Sequence, residues 1–131
     1  MFSIIICTYN PDKYILARLF SSVVQLQHLT NISHEVIVVD NNSLVSIDRL
    51  DVYKRFKEKV RGVVLINEIT QGLTSARIAG IKQAKYDWLV FFDDDNEPSS
   101  DYLLSANKLI NAYPEDGAWG PGKVNVEFIN V

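Results

Sequence analysis

Hydrophobic positions along this chain switch repeatedly between a strand pattern and a helix pattern. Phe2 to Cys7 is an apolar, largely β-branched run that predicts a first strand, followed by Thr8-Tyr9-Asn10-Pro11. Ile15, Leu16, Leu19, Phe20, Val23 and Leu26 then recur at helical spacing. Asn10 is expected to cap that helix and Pro11 to occupy its first turn. Glu35 to Val39 predicts a second strand, ending in Asp40-Asn41-Asn42-Ser43. Ile47, Leu50, Tyr53, Phe56 and Val60 predict a second helix, Val63 to Ile66 a third strand, and Leu73 to Lys85 a third helix with Gly80 inside it. Asp87 to Phe92 predicts the fourth strand, whose unbroken apolar run reads as buried on both faces. Ser99 or Ser100 is then expected to cap a helix carrying Tyr102, Leu103, Ala106, Leu109 and Ile110 and ended by Pro114. A short strand at Ala118-Trp119 and a half-exposed, strictly alternating strand from Val124 to Phe128 complete the reading.

Strands alternating with helices predict an α/β fold, a mainly parallel sheet flanked by helices and joined by right-handed crossovers. In such sheets ligands bind at the carboxyl ends of the strands. The polar clusters fall there: Thr8-Tyr9-Asn10 after strand one, Asp40-Asn41 after strand two, Asn67 to Gly72 after strand three, and Asp93-Asp94-Asp95-Asn96 after strand four. If strand four lies beside strand one, away from strand two, all four surround one crevice.

The three adjacent carboxylates carry the chemistry. Held together they repel, and a divalent cation relieves the repulsion. In an extended run alternate side chains share a face, so Asp93 and Asp95 are expected to converge on a hard cation while Asp94 points elsewhere. The competing reading is a solvated acidic turn capping the next helix; the convergence of four polar loops on one edge favours a metal and nucleotide site.

Composition narrows the picture further. The chain has 131 residues, 47% of them hydrophobic, and a net charge of -3, which fits one soluble globular domain over 1–131. Beyond Lys54 to Lys59, itself interrupted by Glu58, there is no basic stripe, so nucleic acid is not an expected partner. The single cysteine, Cys7, forms no internal disulfide, and no signal-like or membrane-spanning apolar stretch is present; a cytoplasmic location, at the inner face of the membrane, is the expectation. His28 and His34 have no spaced metal partner and are assigned no chemistry. Trp88 is expected in the core, and Trp119, before Gly120-Pro121-Gly122, either packs at a sheet edge or lies over a bound sugar.

Four segments taken together resemble the family 2 glycosyltransferases, inverting enzymes of the GT-A (nucleotide-diphospho-sugar transferase, Rossmann-like) fold. They are Ser3 to Asn10, Val38 to Ser43, Gly72 to Gly80 and Phe92 to Asn96, in the family's order and intervals. The resemblance implies a nucleotide-sugar donor site and a glycan or lipid-linked acceptor. It also implies a cofactor, Mn²⁺ or Mg²⁺, with Asp95 the first-choice metal ligand and Asp93 the ribose partner or a second ligand. Thr8, Tyr9, Asn10, Asp40, Asn41, Arg77, Asp93 and Asp94 are the implied donor-binding residues, with Asn96 in support. Tyr9 is placed to stack on the base, Arg77 to approach the nucleotide, and Gly72 to serve backbone geometry. Asn41 stands where the family often has a second acidic residue; its amide offers an acceptor and a donor to a base edge, which leaves base choice open.

Other readings compete. A sugar nucleotidyltransferase would carry a glycine-rich loop after strand one, where Thr8-Tyr9-Asn10-Pro11 stands; a receiver domain or aspartate phosphatase would carry an aspartate there. The remaining alternative is a non-catalytic nucleotide-sugar-binding or partner-docking domain. In similar enzymes the acceptor site and catalytic base lie in a second half, so this chain reads as a truncated donor half whose base is expected beyond Val131. Glu115, Asp116 and Glu127 match no family position, and self-association through the edge after Phe128 is expected.

Overall fold

The computed structural model describes residues 1–28 and 31–127. Four strands, β1 (Phe2–Thr8), β2 (His34–Asp40), β3 (Val64–Asn67) and β4 (Trp88–Asp93), alternate with four helices, α1 (Lys13–His28), α2 (Asp51–Lys59), α3 (Leu73–Gln83) and α4 (Tyr102–Ala112). All strand pairs are parallel, in the order β3-β2-β1-β4. Strand four therefore lies beside strand one on the side away from strand two, the arrangement that brings the polar loops together.

The sheet has a core on each face. On one, Ile4 and Ile6 of β1, Val36 and Val38 of β2 and Val90 and Phe92 of β4 pack with Leu16, Leu19, Phe20 and Val23 of α1, Phe56 of α2 and Leu103 of α4. Phe20 and Phe56 stack there with ring centroids 4.1 Å apart. On the other face Ile5, Cys7, Ile37 and Val39 meet Ala76 of α3. Strand periodicity produces this division, since successive side chains of β1 and β2 point to opposite faces. Among the described residues no helix is long and apolar enough to cross a membrane.

The amino ends of the strands are fastened separately. Ser3 Oγ donates to Glu35 Oε1 at 2.6 Å, the same oxygen accepts from Lys85 N at 2.6 Å, and Tyr86 N donates to Ser3 Oγ at 3.1 Å. This ties the α3–β4 connection to β1 and β2 and leaves the carboxyl edge to the functional loops.

Several expectations need correction. Asp12 caps α1: its Oδ1 accepts from Tyr14 N and Ile15 N. Asn10 instead turns back in a left-handed conformation, φ 44°, because its side chain is used between loops. The second helical pattern is split into a 3₁₀ turn at Ile47–Arg49 and α2. Neither Ser99 nor Ser100 caps α4 through its side chain; the residue before that helix is Asp101, and Ser99 contributes its carbonyl, which accepts from Tyr102 N at 3.1 Å. Strand β4 is not buried on both faces. It lies at the edge of the sheet, α3 packs over β1 and β2, and Phe91 is left 38% exposed.

Ala118-Trp119 forms no strand, and neither does Val124–Glu127; Phe128 lies outside the described residues. Trp119 packs on Trp88, ring centroids 5.1 Å apart. Trp88 begins β4, so this pair sits roughly 17 Å from the acidic turn at the strand's other end, too far to cover a sugar bound there. The edge on which self-association was expected is thus no strand over its described part; the outer edge here is that of β4.

Candidate functional site

Each strand ends in a polar loop, and hydrogen bonds join the four loops into a closed ring. Loop one meets loop two where Asn10 N donates to Ser43 Oγ, Leu44 N donates to Asn10 Oδ1, and Asn41 N donates to Thr8 O. Loop two is braced by Asp40, whose two oxygens accept from Ser43 N at 2.9 Å and Ile47 N at 3.1 Å. It joins loop three through the Asn41 amide, which donates to Glu68 O and Thr70 O and accepts from Gly72 N. Loop one reaches loop four where Thr8 Oγ1 donates to Asp94 Oδ2 at 2.8 Å. The ring closes through α3, the helix that follows loop three: its Arg77 Nη2 stands 3.3 Å from Asp93 Oδ1, both side chains exposed. The positive-φ residues Asn10, Asn42 and Gly72 all lie in these loops, where sharp reversals need conformations that Asn and Gly tolerate.

The acidic run is a tight turn, which corrects the alternation assumed for an extended chain. Asn96 N donates to Asp93 O at 3.0 Å, and Asp93 N donates to Asn96 Oδ1 at 2.9 Å. Asp94 is the carboxylate tucked into the protein, held by Thr8, while Asp93 and Asp95 are exposed. Asn96 supports the turn, and its amide donates to Asp95 Oδ1 at 3.4 Å. Among the described residues no group of three or more His, Cys, Asp or Glu side chains is assembled to hold a metal unaided.

Burial pushes the Asp94 pKa above the ordinary 3.8; the Thr8 hydrogen bond pulls it down, the neighbouring Asp95 and Asp93 push it up, and a hydrogen bond from the Tyr9 backbone lowers it again. Below the ordinary value the acid is neutral in both folded and unfolded chains, so nothing is lost. As pH rises through the raised folded value, the native state must hold a charge it disfavours, and stability falls. Asp94→Asn keeps the acceptor for Thr8 and removes the charge. In chelator-containing buffer it should raise the urea midpoint at neutral pH, with the gain vanishing below the ordinary carboxylate value. An equal gain at both pH values would contradict this account.

Cys7 lies under the site. Burial raises its thiol pKa to about 11, with Arg77 lowering it and Asp93 and Asp94 raising it. It is a packed thiol and no nucleophile.

The site residues named from the sequence thus sort into two groups. Thr8, Asn10, Arg77, Asp93 and Asp94 take part in the ring, and Tyr9 and Asp95 stand exposed beside it, Tyr9 at 49%. Asp40 and Asn41 turn inward: Asp40 is 2% exposed, and the amide of Asn41 makes three hydrogen bonds to backbone groups. Both Nδ2 hydrogens of Asn41 are spent on loop three, while Oδ1 accepts from Gly72 N and has a second lone pair, so an acceptor rather than a donor is what Asn41 can offer a base edge. Arg18 was not apparent from the sequence; it bridges Glu97 at 2.6 Å and Glu127 at 2.5 Å, and an arginine on a helix gives no sequence signal of such distant partners. A larger cavity of about 950 Å³ between β4, α4 and Trp119 is lined by none of the predicted site residues.

Residues 3–126 match the model of glycosyl transferase family 2. The chain belongs to this family. Among its relatives, the inactive polypeptide N-acetylgalactosaminyltransferase-like protein 5 of Mus musculus is 37% identical over 119 residues, covering 87% of this chain and 26% of the relative. Among solved structures, Staphylococcus aureus TarS 1-349 in complex with UDP superposes with a TM-score of 0.71 at 25% identity, over 95% of this chain and 38% of TarS 1-349. The mannosyltransferase PcManGT from Pyrobaculum calidifontis, in complex with GDP-Man and Mn²⁺, superposes at 0.67 with 22% identity, over 83% of this chain and 32% of its own. This family 2 chain therefore has the GT-A fold and spans well under half the length of these proteins.

Proposed function

We propose that the carboxyl edge of this sheet binds a nucleoside-diphosphate sugar, and that the whole protein transfers the sugar to an acceptor hydroxyl with inversion. The observation that carries the reading is the closed ring of loops, in which Arg77, Asp93 and the Thr8–Asp94 pair surround one polar rim. The TarS complex with UDP supports it, since it pairs this fold with a nucleoside diphosphate.

Each residue has a distinct task. The Tyr9 ring, half exposed beside Thr8, offers a face for the base. Thr8 and Asp94 hold the first loop to the acidic turn, so the nucleoside and diphosphate ends of the site keep a fixed spacing. Arg77 is the cation of the rim; against Asp93 it is balanced, and it can turn its remaining donors to a diphosphate oxygen. Asp40 holds the second loop rather than presenting an open carboxylate.

The donor set also fits a divalent cation. Asp95 and Asp93 are exposed oxygen ligands next to a third carboxylate, and Mg²⁺ or Mn²⁺ is commonly held by one or two carboxylates with phosphate oxygens and water supplying the rest. When bound, the ion supplies positive charge for the departing diphosphate. In this reading Asp95 is the principal ligand and Asp93, which meets Arg77 through Oδ1, is the second.

The acceptor we infer is a glycan or lipid-linked hydroxyl in surface polysaccharide synthesis, at the cytoplasmic face of a membrane. The base that deprotonates it is assigned to the length of the family's proteins that this chain does not span; Glu115 and Asp116 stand exposed beyond α4, and Glu127 is held by Arg18. Calorimetry with a panel of nucleoside diphosphates, with and without Mn²⁺, tests the donor site. At least one should bind in the presence of Mn²⁺ and be released by a chelator. Binding indifferent to chelation, or none across the panel, would refute the metal-bridged site.

A non-catalytic donor-binding domain is the second reading, favoured by the mouse relative named as inactive. Donor hydrolysis or sugar transfer by the whole protein separates the two.

A further inference from the structure

We propose that the face formed by α1 and α2 docks on an anionic lipid membrane, with Arg55 and Lys59 meeting lipid phosphates at the mouth of the groove between the two helices. The proposal deepens the membrane placement given above and is independent of the donor site, since none of the residues involved belongs to the ring of loops.

Charge is unevenly spread along the chain. Residues 51–61 hold five of its thirteen Lys and Arg but two of its sixteen Asp and Glu, so this segment is net positive in a chain of net charge -3. Lys54, Arg55, Lys57, Lys59 and Arg61 are all exposed. Among the described residues the ion pairs are made by Arg18 and Arg77, and none of these five cations enters one. Like charges four apart on a helix oppose its formation. Arg55 and Lys59 stand in that relation, which an anion from outside the chain would relieve.

The same two residues line a groove of about 330 Å³ between the helices. The stacked rings of Phe20 and Phe56 lie beneath it, and Ser21 and Gln25, also four apart, line its α1 side. Cations over an apolar floor match the two parts of a lipid, because long cationic side chains rest their stems on apolar surface and keep their heads in the polar layer. The main apolar faces of both helices are already buried in the core. Docking is therefore on the membrane surface and not by insertion.

The arrangement favours a lipid surface over other anions. Nucleic acid binding uses a continuous basic track or exposed rings for the bases, and the aromatic residues of α2, Tyr53 and Phe56, are buried. By helical spacing Lys57 falls on the flank of α2 opposite Arg55 and Lys59, a spread that suits an extended anionic surface better than one carboxylate on a partner. The placement also leaves the donor site free. α1 and α2 cover the sheet face opposite α3, and they follow the first and second loops of the carboxyl edge. A membrane against them runs beside that edge and not across it.

The measurement is co-sedimentation of the chain with vesicles of phosphatidylcholine, alone or mixed with phosphatidylglycerol. The mixed vesicles should bind the chain, the neutral ones should not, and high salt should release it. Arg55→Gln with Lys59→Gln should lower binding about 10-fold or more, the scale for two basic residues at an anionic surface. Lys82→Gln with Lys85→Gln, the same charge change on and after α3, should alter it by no more than about twofold. All four side chains are exposed, and thermal melts confirm that both variants are folded. Absence of binding to mixed vesicles, equal binding to neutral ones, or an equal loss in the two variants overturns the proposal. Capture of polyglutamate without binding to vesicles points to an acidic protein partner and overturns it too. Calorimetry with nucleoside diphosphates should give the same result for the Arg55 and Lys59 variant as for the unaltered chain. Vesicle binding without nucleotide binding thus fails the donor-site reading alone, and the converse fails this proposal alone.

Discussion

Asp95→Ala is expected to abolish the Mn²⁺ dependence of nucleoside diphosphate binding and to lower sugar transfer by the whole protein by the order of 10²-fold or more, the scale of losing one preorganised charge-stabilising group. Asp95 is exposed at the tip of the turn and takes no part in joining the loops, apart from a 3.4 Å contact with the Asn96 amide. Its removal should therefore leave the melting temperature almost unchanged. Asp94→Ala should act the other way round. It removes the acceptor that Thr8 uses between the first and fourth loops, so it should loosen the site and weaken binding with or without metal. Calorimetry with and without Mn²⁺, alongside thermal melts, separates the two. Equal loss of metal dependence in both variants would show that the ligand is misassigned within the run.

Gly80→Val should destabilise the fold by about 1–3 kcal/mol or more, as overpacking of a closed core does. A Cβ on Gly80 would lie 2.5 Å from Ile5 Cγ2 and 3.4 Å from Val39 Cγ2. Both neighbours are completely buried in the central strands, and a methyl on a β-branched side chain has little freedom to move aside. Even Gly80→Ala should cost stability, although alanine is intrinsically favoured over glycine in a helix by about 1 kcal/mol. Ile5→Ala in the same chain should reduce the cost of Gly80→Ala, because the clashing methyl is gone, and the two changes should be non-additive. Urea titration of the four proteins reads this directly. A more stable Gly80→Ala would mean that helix propensity outweighs the contact, and that α3 can back away from the sheet.

The two predictions sit at opposite ends of what the residues alone reveal. The helical tolerance of Gly80 is readable as a local oddity, but its reason, an approach of α3 to β1 across 75 positions of sequence, exists only once the sheet is assembled. Asp95 is readable at once, because three adjacent carboxylates at a strand end are chemically conspicuous. Which of the three faces outward is not readable. An extended run and a tight turn use the same residues, and only the bond from Asn96 N to Asp93 O, with Thr8 drawing Asp94 inward, decides between them.

By itself the sequence determined the alternation of strands and helices, the parallel sheet and the edge on which the polar loops gather. Those features follow from side-chain periodicity and from polar residues placed at strand ends, both local properties of the chain. The tertiary structure alone decided that β4 is an edge strand with Phe91 exposed, that Trp119 leans on Trp88 away from the acidic turn, and that Asp40 and Asn41 face inward. Each of these depends on partners distant in sequence. An asparagine after a strand looks the same whether its amide meets a ligand or three backbone groups, and packing settles which hydrogen bonds it makes.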